Sequence, residues 1–88
     1  MKQAKIDLYQ RVALTLDLPE HNLCKGDVAV VVEYLPGTAA SGGEDGYALE
    51  IFNAVGETIA VVLVPVSAVQ PLTENEVFQV RPLSVTEK

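Results

Sequence analysis

The side chains of this 88-residue chain with the means to do chemistry are one histidine, one cysteine, twelve acidic residues and three tyrosines. A protein-bound metal needs several His, Cys or carboxylate ligands at close spacing. His21 has no second His, Cys or carboxylate at ligand spacing, so it is expected to hydrogen-bond its own loop. A redox thiol wants a CxxC partner or a basic neighbourhood. Cys24 has Lys25 alone and reads as a small buried residue. Catalytic carboxylates need a cleft that shifts their pKa, whereas Glu44, Asp45, Glu50, Glu57, Glu74 and Glu76 fall at turns and on polar faces. There is no Ser-His-Asp ordering in nucleophile context, no G-x-x-x-x-G-K-[ST] and no G-x-G-x-x-G, and Gly42-Gly43 lacks the strand-to-helix setting of a phosphate loop. The expectation is a protein that is not an enzyme and carries no metal or cofactor.

What would position these groups is a set of short strands. The densest is Val28 to Tyr34, entered by Lys25-Gly26-Asp27 and left through Pro36-Gly37; branched residues at this density suit a pleated sheet, because their stiff χ1 costs least there. Val12, Leu14 and Leu16 alternate with polar or small residues, the period-two mark of a strand buried on one side. Asp17 to Lys25 reads as a loop pinned by Leu18 and Leu23, and Ile6 and Leu8 are spaced to reach one face of a sheet. Pro36 to Gly46 is a glycine-rich hairpin connection, expected to be mobile, and Tyr34, Tyr47 and Phe52 beside it are expected to pack in the core or at the hairpin tip. Tyr47 to Phe52 alternates again, a turn through Gly56 leads to a strand at Thr58 to Val64, and a 3₁₀ turn near Val66 precedes a last short strand at Val69 to Leu72. The pattern V-x-x-V-x-P-L at 66–72 returns at 77–83, so Val77 to Leu83 is expected to form an extra strand.

The architecture that follows is all-β: a small five-stranded barrel over 1–72 with a C-terminal extra strand or arm over 73–88. One cysteine allows no intrachain disulfide, which fits a reducing compartment. The longest apolar run, Ile59 to Val66, is far below the roughly 20 residues a membrane helix needs, and the amino terminus has no signal-like segment, so a cytoplasmic protein is expected. The net charge of −6, with its six cations scattered, opposes binding to phosphate backbones.

Two strands are apolar on both sides: Val28 to Val32, and Ile59 to Val64. A small barrel buries only its interior, so outward valines form a patch that monomers rarely expose. Val28, Val30 and Val32, Ala60, Val62 and Val64, and the tail residues Val77, Phe78 and Val80 are therefore the candidate protein interface, covered by the tail, a second copy or another protein.

At Asp17 to Glu33, DLPEHNLCKGDVAVVVE, the chain resembles a bacterial family known as domain of unknown function 4926, whose pattern reads R-V-A-L-x-x-D-L-P-E-H-x-L-x-x-G-D-V-G-x-V-V-E. Arg11 to Leu14, Asp17 to His21, Gly26 to Val28, Val31 to Glu33, Gly56 to Ile59 and Val69 to Leu72 carry the likeness, over roughly residues 8 to 72. Ala29 stands where glycine is usual, and the tail from Thr73 lies outside the pattern. The resemblance implies an SH3-like barrel and supplies no activity. Gly26 to Glu33 is also similar to KOW-type barrels of ribosomal and transcription proteins, which are generally basic. The expected function is a small interaction module that self-associates or serves as an accessory or antitoxin-like partner of another protein. The alternative is a KOW-like nucleic-acid or ribosome-associated module, which needs Arg11, Lys25 and Arg81 on one surface.

Overall fold

The computed structural model describes residues 6–37 and 43–83. Five strands, β1 (Arg11–Leu14), β2 (Val28–Leu35), β3 (Gly46–Phe52), β4 (Thr58–Pro65) and β5 (Val69–Pro71), form one antiparallel sheet in the order β4-β3-β2-β1-β5. The all-β class and the five strands are as the sequence predicts. Among the described residues no ladder joins β4 to β5, so the sheet is open at those two strands. None of the described helices is long and apolar enough to cross a membrane.

The core lies on one face. Val12 and Leu14 of β1, Val31 of β2, Leu49 and Ile51 of β3, Val62 and Val64 of β4, and Val69 of β5 belong to a single buried cluster with Ile6, Leu23, Tyr47 and Ala68. Strands from both ends of the sheet order thus share one core. Burying each Val or Leu side chain contributes roughly 1.5–3 kcal/mol, which is what gathers these strands together. Leu8 and Leu16, expected inside, are exposed: β1 ends at Leu14, and Thr15 turns instead to bond the 3₁₀ turn, its N–H donating to Ala68 O at 2.8 Å and its hydroxyl to Ser67 O at 2.9 Å.

The phase of β4 differs from the expected one. Val62 and Val64 are 2% and 5% exposed, whereas Val61 and Leu63 are 59% and 69% exposed. Register explains this, because Val62 pairs with buried Leu49 and Val64 with buried Tyr47, and partners across a ladder point the same way. The outward side chains of β4 are therefore Ile59, Val61 and Leu63, not Ala60, Val62 and Val64. On β2 the expected phase is found: Ala29 and Val31 are buried, and Val28, Val30 and Val32 look outward, half-buried.

The second V-x-x-V-x-P-L copy forms no strand. The first copy is delivered by the 3₁₀ turn at Val66–Ala68 onto β1, where Val69, Gln70 and Pro71 pair with Leu14, Ala13 and Val12. That edge of β1 is then occupied, and residues 72–83 continue as an irregular arm.

Candidate functional site

Two features stand out: a loop node that holds the arm, and the outward face of the sheet. The node begins with the segment between β1 and β2. Its Leu18 and Leu23 bridge each other across a 3₁₀ turn at Pro19–His21, and Asn22 closes the turn in the left-handed region at φ 60°. Asp17 Oδ1 accepts the Lys25 N–H at 2.8 Å, and Asp27 Oδ2 accepts the Cys24 N–H at 2.8 Å. Gly26 takes φ +93°, a conformation that L side chains rarely adopt, which explains a glycine between Lys25 and Asp27. The Gly26 N–H donates to Leu14 O and the Leu14 N–H to Asp27 O, both at 2.9 Å, so the turn continues the β1–β2 ladder.

Onto this turn comes Arg81 from the arm. Its Nε donates to Asp27 Oδ1 at 2.9 Å and its Nη2 to Asp27 Oδ2 at 2.5 Å, the planar fork-on-carboxylate geometry that guanidinium favours. Nη2 also donates to Asn22 O at 3.2 Å. Partial burial pushes the Asp27 carboxyl up, but the Arg81 hydrogen bond, the Cys24 N–H and the Arg81 charge together outweigh it and hold Asp27 below the ordinary aspartate value. The same hydrogen bond raises Arg81, against the opposing pull of desolvation.

Further along, the Arg11 guanidinium carbon stands 5.7 Å from the centre of the Phe78 ring, a cation–π distance. Between arm and sheet runs a groove of about 830 Å³, with Arg11, Val28, Val30 and Phe52 on the sheet side and Phe78 and Arg81 on the arm. The groove extends past β3 to the β3–β4 turn and Ile59, and the arm's own Val77, Phe78 and Val80 are 91%, 63% and 90% exposed. Val61 and Leu63 at the β4 end lie outside this groove. The expected interface residues therefore divide. Val28, Val30 and Val32 share a face, Val77, Phe78 and Val80 are exposed on the arm, and Ala60, Val62 and Val64 point into or pack against the core.

The remaining candidates settle into local roles. His21 bonds its loop through its backbone N–H, to Leu18 O at 2.9 Å. Cys24 is exposed rather than buried, because its place in the turn is set by its N–H and not by its side chain. Tyr47 is buried and its ring lies 6.0 Å from that of Tyr34, whose hydroxyl donates to Asp45. That hydrogen bond, with lesser contributions from desolvation and the neighbouring charge, raises the Tyr34 phenol above the ordinary tyrosine range. Glu44 accepts the Ser67 N–H, Glu50 the Thr58 hydroxyl, Glu57 the Asn53 amide and Glu76 the Thr73 N–H. Among the described residues no three His, Cys, Asp or Glu side chains gather as a metal site would require. The hairpin connection expected to be mobile falls partly on residues 38–42, outside the described residues. Sequence reasoning missed Asp27 and Arg81 as a pair. They are 54 positions apart, and only the glycine-aspartate turn marked one of them.

A family model described as Domain of unknown function (DUF4926) matches residues 8–71. No curated protein and no solved structure matches the chain.

Proposed function

The chain belongs to the DUF4926 family of domains of unknown function, and we propose that it is a non-catalytic protein-interaction module that docks through the outward face of its sheet. The observation that carries this reading is an apolar surface on the side of the sheet away from the core. It comprises half-buried Val28, Val30 and Val32, exposed Val61 and Leu63, and exposed Val77, Phe78 and Val80 on the arm. Apolar area of this kind stabilises association when it is removed from water, and here it flanks Ala48 and Glu50, which lie on β3 between its β2 and β4 parts. The occupant is a second copy or a protein for which this chain is an accessory or antitoxin-like partner; a net charge of −6 favours a basic partner in the latter case. One free, exposed thiol agrees with work in the cytoplasm.

Of the cations that a KOW-like nucleic-acid role would recruit, Arg81 is committed to Asp27 and Arg11 stands over Phe78, so this reading does not include nucleic acid. The test is light scattering from low to high micromolar concentration, paired with affinity capture and mass spectrometry from the native host. A concentration-dependent dimer, or one stoichiometric partner lost on Val61→Ser/Leu63→Ser substitution, supports the reading. A monomer at every concentration that also retains no stoichiometric partner overturns it.

A further inference from the structure

The outward face becomes barer from its β2 centre to its β4 edge, and that edge is itself unpaired. β4 runs for eight residues, Thr58–Pro65, and its ladder is with β3 alone. Along its other side the described residues offer no ladder, so a row of backbone N–H and C=O groups faces outward. Natural edge strands are commonly guarded by lysines, inward charges, prolines, β-bulges or brevity. The opposite edge follows that rule, since β5 is three residues long and ends on Pro71. β4 keeps one such device, the bulge at Ile59 near its start, but beyond it, from Ala60 to Val64, the strand carries no charge, no proline and no register shift.

We infer that β4 is the docking edge for β4 of a second copy, the two strands pairing antiparallel across a two-fold axis to continue one sheet through both molecules. This deepens the reading above and rests on it. Three observations select a second copy as the occupant. A two-fold antiparallel pair asks only that one strand be compatible with itself, and β4 alternates Ala60, Val62 and Val64 inward with Ile59, Val61 and Leu63 outward, so each outward residue meets another of its kind. In a chain of charge −6, this uncharged strand is where two copies approach with the least repulsion, Glu50 lying one strand in from the edge opposite Val61 and receiving the Thr58 hydroxyl. A basic partner would find no carboxylate along Ile59–Val64 to pair with.

The experiment is sedimentation velocity on the full chain across concentration, with amide hydrogen exchange of the 58–65 segment at dilute and concentrated ends. The expected result is a dimer that tightens with added salt, as repulsion between acidic copies is screened, together with slowed exchange in 58–65 at high concentration. Leu63→Lys puts a gatekeeper on the edge without touching the core, and weakens the dimer by about tenfold or more. Val55→Lys adds the same charge at the exposed β3–β4 turn and leaves it intact, as does Val30→Thr at mid-sheet. A dimer unaffected by Leu63→Lys, with 58–65 exchange independent of concentration, overturns the edge proposal while leaving face-to-face docking standing. A wild-type chain that is monomeric yet captures a stoichiometric foreign partner overturns the second copy as occupant and keeps the interaction reading.

Discussion

Asp27 does two jobs at once. Its carboxylate receives the Cys24 N–H within the turn and the Arg81 fork from the arm. Removing Arg81 should therefore free the arm and spare the turn, while removing the carboxylate should harm both. Arg81→Met is expected to lower stability by about 1 kcal/mol or less, because this ion pair keeps some solvent contact. Asp27→Ala is expected to cost measurably more in the same chemical denaturation series, since a turn N–H then loses its acceptor. The pair also sets a pH dependence. Asp27 has a folded value below its ordinary 3.8, so the stability it contributes is present above that value and is lost as pH falls through the lower folded one. Following the Arg81 Nε–H resonance through an acid titration should show the arm releasing with a midpoint under the ordinary aspartate value. A midpoint above it would contradict the ion pair.

At the scale of the strand, β4 was the element whose faces composition left ambiguous. A run with apolar residues at every position has no phase of its own, and the face it buries is decided by register against a neighbour. Leu49 and Tyr47 of β3 make that decision for Val62 and Val64, and a bulge between Ile51 and Phe52 shifts the pairing so that Thr58 rather than Ile59 meets Phe52. The consequence is measurable. Val62→Ala should destabilise by roughly 1–3 kcal/mol as a core truncation, while Val61→Ala stays within about 0.5 kcal/mol in dilute solution. Equal losses at both positions would contradict the observed phase. A second constraint sits where β3 begins: a Cβ on Gly46 would meet Val64 O at 2.7 Å. Gly46→Ala is expected to cost about 1–3 kcal/mol, read from the denaturation midpoint, because a strand backbone and not a flexible side chain must move. From the sequence Gly46 was one more glycine at the end of a glycine-rich connection; only the approach of β4 gives it a role.

At the scale of the molecule, a small core sits beneath an outer face that is only partly covered. A domain this short keeps a margin of a few kcal/mol, so the arm and any second copy act on a balance that is already close. The arm lies over the β1–β2 end of the outer face, and the groove beside it reaches Ile59 at the start of β4 but not Val61 or Leu63. That division makes the two candidate interactions separable, since the arm can be released by acid or by Arg81→Met while the β4 edge is left as it was. The sequence by itself determined the all-β class, the turns at Gly26 and Gly56, the 3₁₀ turn before β5 and the membership signalled by D-L-P-E-H and G-D-V, because alternation, turn chemistry and motif are local properties of the chain. Tertiary structure alone decided which face of β4 is buried, that the second V-x-x-V-x-P-L copy makes no strand, and that Arg81 closes on Asp27. Each of those outcomes depends on which partner reaches an edge or a charge first, and that competition is settled between segments far apart in the chain.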